Sequence, residues 1–287
     1  MLKYVYQTSN PLTLVAQTSG NGGNETMVTN LADPGETIIV AVAGIWGLKV
    51  VDMGRRYKLN VIQLTKNPGE IYTFEELEDQ IIEHKAVALF VTQGESSGGV
   101  LQPLDGLGEI CHKHNCLLAV DAVVSVGIVP LFVDRWKIDA VCGGSQKGIG
   151  APAGMCLLSF SPRAHKKMLE KKHPPPYIFD MISLGNVWKC FETTHSYHYT
   201  YGTPMLAAVR QALVEICEEG LESVWERHKK CSDLFYQYEI EFGFGIGPSA
   251  DKAIRVGFMA QNAKPEIVEH FVIALEDGIK YCRLNEN

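Results

Sequence analysis

Short, nearly continuous apolar segments alternate with segments of helical periodicity along the first part of this chain. The apolar segments consist mainly of Val, Ile, Leu and Ala and lack the strict alternation of a half-exposed strand. A sheet with both faces buried requires strands of this kind. The alternation therefore predicts an α/β fold, with a mainly parallel sheet sandwiched by helices. The predicted strands are Thr37–Val42, Asn60–Leu64, Ala86–Thr92, Leu117–Asp121, Ile138–Cys142 and Met155–Phe160.

Helix signals lie between and after these strands. Thr73 and Glu76 form a capping box, which opens a helix that reaches about His84. A Pro-rich linker at Pro174–Pro176 separates the strand-rich part from a helical remainder. We expect a large domain over residues 1–219 and a smaller, shortened α+β domain over residues 220–287. Further helices are predicted over Pro103–Asn115, Pro162–Lys172, Met205–Glu219 and Leu221–Tyr238, and after Pro265.

Composition excludes several classes of protein. The 287 residues are 46% hydrophobic and 21% charged, as in soluble globular proteins. The net charge of −7 provides no basic surface for nucleic acid, and no apolar segment is long enough to span a bilayer. Eight cysteines do not form a disulfide framework at this length. The Cys111–Cys116 segment lacks a second ligand pair at zinc spacing, so we interpret it as a helix–strand corner and predict no metal site.

Lys147 lies among small residues just after the predicted strand Ile138–Cys142. An amine in such a loop can form a Schiff base with an aldehyde. The alternative is a solvated loop lysine, since most lysines are exposed. Ser96, Asp121 and Lys147 all lie at or just past predicted strand ends, where doubly wound sheets bind ligands.

An anion site is one interpretation of the Gly-rich segment that contains Ser19, Gly20 and Asn21. Free N–H groups at a helix start, with added side-chain donors, bind phosphate well. A plain loop is the alternative. Asp121 ends a buried strand and needs a partner, for which a protonated pyridine nitrogen is suitable; it could equally cap the next helix.

Three other side chains suit a site that binds an aromatic cofactor and an amino-acid substrate. Trp46, flanked by glycines, could lie flat on an aromatic ligand or pack in the core. Ser96 could bond a ring hydroxyl. Arg255 interrupts an apolar run, where its planar fork suits a substrate carboxylate, although an edge-strand Arg in water is also possible. Together these groups describe a site for pyridoxal phosphate and an amino acid.

The chain resembles the class V aminotransferases of fold type I, and within them the alanine–glyoxylate / serine–pyruvate aminotransferases. The matching motifs follow the order of that family along nearly the whole chain. They are Asn10–Val15, Gly44–Gly47, Gly94–Ser97 with Gly99–Gly106, Val120–Asp121, Gly144–Lys147 with Ala151–Pro152, Tyr197–Thr200 and Ile254–Gly257.

This resemblance implies pyridoxal 5′-phosphate as cofactor and a role for each matching residue. Lys147 would be the catalytic lysine that holds the cofactor aldehyde, Asp121 would pair with the ring nitrogen, and Trp46 would stack on the ring. Arg255 would bind the substrate carboxylate. The residues expected at the phosphate and beside the ring are Ser19, Gly20, Asn21, Gln146 and Ser96, with Tyr197 and Thr200 from a partner subunit.

The implied activity is ping-pong transfer of an amino group from alanine or serine to glyoxylate or pyruvate by a homodimer. The same resemblance implies a role in glyoxylate detoxification and an intracellular location in peroxisomes or mitochondria, although the chain shows no targeting signal. Nucleic acid and membrane partners are not expected.

The chain also departs from the family. It starts later than family members, a segment is missing between Tyr238 and Gly243, and Asn21 stands where close relatives have His. The alternative hypothesis is therefore a truncated, impaired aminotransferase that is inactive or acts only as a binding partner. A cysteine desulfurase is a weaker alternative, because Cys217, Cys231 and Cys282 lie in helical patterns and not in a mobile loop.

Overall fold

A seven-stranded sheet forms the centre of the protein. The computed structural model describes residues 1–67, 69–192, 196–237 and 257–284. A separate two-stranded sheet pairs β5 (Gly94–Glu95) with β6 (Val100–Leu101). The strands of the central sheet are β1 (Leu12–Ala16), β2 (Thr37–Val42), β3 (Asn60–Thr65), β4 (Ala88–Thr92), β7 (Leu117–Asp121), β8 (Ala140–Gly144) and β9 (Cys156–Phe160).

The strand order of the central sheet is β1-β9-β8-β7-β4-β2-β3. The pairs from β3 to β8 are parallel, whereas β9 runs antiparallel to both β8 and β1. The predicted, mainly parallel sheet is therefore confirmed, and each predicted strand is present. The sequence analysis missed β1, a short strand that directly follows Pro11.

Helices cover both faces of this sheet. Thr73 and Glu76 form the predicted capping box. The helix predicted from Pro103 begins later, because Gly106 precedes its first turn with a φ of 100°. No helix in the described ranges is long and apolar enough to cross a membrane. The helices are α1 (Leu2–Tyr6), α2 (Gly20–Leu31), α3 (Ile45–Arg56), α4 (Phe74–His84), α5 (Leu107–Lys113), α6 (Pro162–Glu170), α7 (Met181–Val187), α8 (Thr203–Glu219), α9 (Leu221–Gln237) and α10 (Pro265–Leu284).

Two apolar cores result, one on each face of the sheet. Successive residues of a strand point to opposite faces, so Ile39 of β2 joins one core and Val40 joins the other. Helices α1, α4, α5 and α8 pack on the first face, and α2, α3, α6 and α7 pack on the second. A third, small cluster joins Cys231 of α9 to Val268 of α10. The domain boundary at residues 219/220 stays a prediction.

A buried carboxylate fastens the amino ends of the central strands. Asp139 lies just before β8 and is fully buried. Its Oδ2 accepts from Arg163 at 2.8 Å and from the N–H of Leu118 at 3.0 Å, and its Oδ1 accepts from Ser161 at 2.7 Å. A nearby cation and full hydrogen bonding are the conditions under which a buried charge is tolerated.

The Cys111–Cys116 segment forms the predicted corner between α5 and β7. His112 lies 3.2 Å from Asp139 and His114 lies 2.7 Å from Glu78. The two histidines therefore link this corner to neighbouring elements.

Asp33 ties the end of α2 to the segment after α6. Its oxygens accept hydrogen bonds from the N–H groups of Lys172 at 2.9 Å and His173 at 3.0 Å, and Lys171 Nζ lies 3.2 Å away. Burial would raise the pKa of this carboxyl, but the two backbone hydrogen bonds and Lys171 outweigh it and lower the pKa to about 2.

Asp33→Asn should lower the free energy of unfolding at pH 7 by about 1–3 kcal/mol, because the substitution weakens hydrogen bonds to a buried charge. The folded pKa is depressed, so the contribution of Asp33 is complete above its unfolded value of 3.8 and is lost as the pH falls towards about 2. Urea unfolding of both proteins across this range measures the difference. A difference that stays constant with pH would contradict the assignment.

Candidate active site

The carboxyl ends of three neighbouring strands bring several of the predicted site residues to one edge of the sheet. In the parallel register, Thr92 of β4 pairs with Asp121 of β7, which pairs with Cys142 of β8. The loop that carries Lys147 begins directly after Gly144, the last residue of β8. Asp121 and Lys147 therefore lie at the carboxyl edge of the sheet, where the sequence analysis placed them and where doubly wound sheets bind ligands.

Asp121 is a buried carboxylate with neutral hydrogen-bond donors. It is 7% exposed, and its Oδ2 accepts from Asn24 Nδ2 at 2.6 Å while its Oδ1 accepts from the N–H of Val123 at 2.9 Å. No cationic side chain in the described part of the chain pairs with it. Burial, with a smaller contribution from the Glu95 carboxylate, raises the pKa of Asp121 above its ordinary value, and the hydrogen bonds from Asn24 and Val123 offset only part of this rise.

The Lys147 loop is held by Ser145, which is fully buried. Ser145 Oγ donates to the carbonyl of Pro152 at 2.6 Å and accepts from the N–H of Met155 at 3.3 Å. Lys147 itself is half-buried, and its ammonium has no hydrogen-bond or ion-pair partner within the described ranges. The loop backbone is therefore fixed while the amine stays available to a ligand.

The start of α2 lies against the same edge. Ser19 is the N-cap and its Oγ accepts from the N–H of Gly22 at 3.3 Å. A Cβ atom at Gly20 would lie 2.7 Å from Val123, and one at Gly23 would lie 2.2 Å from Cys156 Sγ. The glycines thus let the helix start touch the sheet. The first N–H groups of α2, on Gly20 and Asn21, have no intrahelical acceptor and suit an anion.

Val123 joins these segments. A Cβ atom at Gly144 would lie 2.9 Å from Val123 Cγ1 and 3.1 Å from Gln146 Oε1. Gly20 contacts the same valine side chain, so the helix start, the residues after Asp121 and the Lys147 loop are packed together. The phosphate residues expected from the resemblance, Ser19 to Asn21 and Gln146, are therefore brought close to Val123.

Trp46 begins α3 and is held by the loop after β4. Its Nε1 donates to Ser96 Oγ at 2.9 Å, and its backbone N–H donates to Glu95 Oε2 at 3.2 Å. Ser97 Oγ accepts from the N–H of Ile45 at 2.9 Å. The sequence analysis expected Ser96 to be free for a ring hydroxyl; in the structure its oxygen already accepts from the indole, because Trp46 lies beside it.

Tyr197 and Thr200 lie apart from this cluster. Tyr197 is 76% exposed, and its hydroxyl lies 2.9 Å from Thr200 Oγ1. Within the described ranges neither forms a hydrogen bond to another predicted site residue. The segment is anchored by Tyr199, whose hydroxyl accepts from the N–H of Gln17 at 3.2 Å. Arg255 lies outside the described residues.

Sequence reasoning missed the roles of Asn24 and Glu95. Asn24 is a polar residue on the buried face of α2, and Glu95 is a buried carboxylate at the α3 start. Polar residues on a buried face were the available signal, but their partners are distant in sequence. The three late cysteines weighed for the desulfurase alternative, Cys217, Cys231 and Cys282, lie on α8, α9 and α10, as their helical patterns predicted.

Comparison with known proteins gives a consistent result. The profile of the family Aminotransferase class-V matches residues 2–274. Alanine–glyoxylate aminotransferase of Rattus norvegicus is 37% identical over 328 residues, which cover 99% of this chain and 79% of the rat protein. That match is longer than the 287 residues of this chain, so the rat protein carries residues in the matched region that this chain lacks.

Solved structures agree in fold. Alanine–glyoxylate aminotransferase from Nostoc sp. superposes with a TM-score of 0.91 at 32% identity, over 96% of this chain and 84% of that one. Ureidoglycine–glyoxylate aminotransferase from Bacillus subtilis gives 0.86 at 26% identity, over 96% and 81%. With a fold type I sheet and a family match along almost its whole length, this chain belongs to the class V aminotransferases.

Proposed function

We propose that this chain is a pyridoxal 5′-phosphate-dependent aminotransferase that moves an amino group from alanine or serine to glyoxylate or pyruvate in a ping-pong reaction. The observation that carries the proposal is the buried Asp121 carboxylate, which has neutral donors but no cationic partner in the described part of the chain. A buried charge of this kind is costly unless a ligand completes it. A protonated pyridine nitrogen would do so.

The chemistry of the donor set fits the whole cofactor. The Lys147 ammonium has no partner among the described residues, and the N–H groups that begin α2 lie in the same packed group around Val123. An amine for an aldehyde, N–H donors for a phosphate and a carboxylate for a ring nitrogen are the groups that pyridoxal phosphate requires. Ser19, Gly20, Asn21 and Gln146 would hold the phosphate.

When bound, pyridoxal phosphate supplies an aldehyde that condenses with amines and a ring that accepts electrons from the substrate Cα. The side chains of this protein would do the rest. Lys147 would take and return the α-proton at Nζ. Asp121, which accepts hydrogen bonds from Asn24 and the N–H of Val123, would hold the proton on the ring nitrogen. Trp46, fixed by Ser96 and Glu95, would cover one side of the ring.

The names of the similar proteins support glyoxylate as the acceptor more strongly than any one donor. The rat, Nostoc and Bacillus proteins are all described as glyoxylate aminotransferases, but the last uses ureidoglycine in place of alanine. Alanine or serine as donor rests on the proteins of higher identity. Arg255 would bind the substrate carboxylate.

A second copy of the chain would complete the site. Tyr197 and Thr200 carry adjacent hydroxyls on an exposed segment, and they do not hydrogen-bond to the predicted site residues that the structure describes. An exposed, hydrogen-bonded pair is suited to donate to a phosphate in another subunit. We therefore infer a homodimer with shared sites.

Lys147→Ala should abolish the visible absorbance band that the chain gains with pyridoxal phosphate, along with the change in that band on adding alanine. Turnover with alanine and glyoxylate should fall by about 100-fold or more, since a positioned acid–base group contributes that much. Lys166→Ala is the matched control, because Lys166 is an exposed helix lysine paired with Glu170. It should behave as wild type.

An equal band in wild type and Lys147→Ala would contradict the role of Lys147. No band in wild type, with turnover indistinguishable from buffer, would favour the alternative that this chain is a truncated, impaired aminotransferase that is inactive or acts only as a binding partner.

Coexpression of Lys147→Ala with the double variant Tyr197→Ala/Thr200→Ala should restore activity above that of either variant alone. In a mixed dimer, one site combines an intact Lys147 with an intact pair of hydroxyls from the other subunit. Differently tagged chains allow the mixed dimer to be purified and its turnover to be measured. A mixed dimer as inactive as its parents would show that the sites are not shared in this way.

A further inference from the structure

Asn24 lies between a thiol and the carboxylate that the proposed cofactor would contact. It belongs to the second turn of α2 and is 3% exposed. Its Nδ2 donates to Asp121 Oδ2 at 2.6 Å, and its Oδ1 accepts from Cys142 Sγ at 3.3 Å. A chain of three buried polar groups therefore runs from β8 through α2 to the end of β7.

Chemistry fixes which group donates and which accepts in the hydrogen bonds from Cys142 through Asn24 to Asp121. An ionised carboxylate is acceptor-only, so the NH₂ of Asn24 must face Asp121, and its carbonyl then faces Cys142. Burial raises the pKa of the Cys142 thiol, so the thiol keeps its proton and serves as donor. Each hydrogen bond is made in the direction that favours negative charge on Asp121.

We propose that Asn24, oriented by Cys142, is a positioning residue that keeps Asp121 ionised and aimed at the ring nitrogen of the bound cofactor. This inference rests on the proposed function for its ligand, but the contact itself is independent of the ligand. Val50 and Phe90 lie in the same pocket lining as Asn24 and Asp121, so an apolar side chain at position 24 would have apolar neighbours. What such a side chain would not supply is the hydrogen bond that Asn24 Nδ2 donates to Asp121.

The electrostatic surroundings make this donor necessary. The titratable groups that interact with Asp121 come from three elements, with Glu95 on β5, Tyr6 on α1 and Cys142 on β8. None of them is a cation at neutral pH. Burial and Glu95 raise the pKa of Asp121, and in the described part of the chain Asn24 and the N–H of Val123 oppose them.

Asn24→Leu tests the proposal because it removes the donor at similar volume. The dissociation constant for pyridoxal phosphate should rise about tenfold near neutral pH, as expected for loss of a hydrogen bond to a charged group. The variant should lose affinity at a higher pH than wild type on acidification, since a carboxyl with a higher pKa is protonated sooner. Fluorescence titration of both proteins with pyridoxal phosphate, repeated as the pH is lowered from neutral, measures both.

A cofactor analogue separates positioning from a general structural effect. In the analogue with C–H in place of the ring nitrogen, Asp121 has no proton to hold, so Asn24→Leu should leave its affinity unchanged. Asn30→Leu is the matched control, because Asn30 is a buried amide on the same helix that bonds Phe179 and Met181. It should lower thermal stability without changing the ratio of the two affinities. An equal loss of affinity for both ligands in Asn24→Leu would overturn the proposal.

Two further measurements keep the test decisive. If Asn24→Leu does not fold, Cys142→Ala should shift the same quantities in the same direction by a smaller factor, and no shift would overturn the proposal.

In the cofactor-free protein, carboxyl ¹³C NMR should show that Asp121 titrates at higher pH in Asn24→Leu than in wild type. The Asp121→Asn variant assigns the signal. A raised midpoint in a chain that binds no pyridoxal phosphate would refute the proposed function and leave the Asn24 contact standing, whereas an unchanged midpoint would refute the positioning role.

Discussion

Placing a carboxylate at the buried end of a strand is the constraint around which this site is built. The sheet carries two such groups on the neighbouring strands β7 and β8, one at the carboxyl end of β7 and one at the amino end of β8. Asp139, where β8 begins, is neutralised by Arg163 and saturated with hydrogen bonds, so its charge is complete without a ligand. Asp121, where β7 ends, has neutral donors and a nearby carboxylate in Glu95. The first arrangement stabilises a fold, whereas the second favours a cationic ligand.

The glycines of α2, the helix that supports Asp121, weaken the helix itself but let it pack closely against the sheet. Gly20, Gly22 and Gly23 weaken the first turn of α2, because each glycine costs about 1 kcal/mol relative to Ala within a helix. Larger residues at Gly20 or Gly23 would collide with Val123 or Cys156. Close approach is therefore the reason for the glycines, and it brings both the free N–H groups of the helix start and the Asn24 amide to the sheet edge. One local sequence feature serves the proposed phosphate contact and the ring-nitrogen partner.

Much of the fold follows from local sequence, and much of the site does not. Buried parallel strands are recognisable as apolar runs, and Thr73 with Glu76 fixes a helix start through neighbours in sequence. Strand β1 is as long as β4 and β7 but escaped prediction, because its place in the sheet depends on pairing with β9, far along the chain. Asp121 and Lys147 could be placed from strand ends. The contacts of Asn24 and Glu95 could not, because each depends on packing between separate elements.

The two halves of the proposed site therefore differ in how they are held. Asp121 belongs to β7, which a backbone ladder joins to β8, and Lys147 follows β8 in a loop that the buried Ser145 hydroxyl holds to Pro152 and Met155. Trp46 depends on Glu95 and Ser96, which belong to a short hairpin and bond it through side chains. Since ring chemistry needs the carboxylate and the amine, while the pocket wall shapes what else can enter, such a division would let one scaffold keep its reaction and change its amino donor.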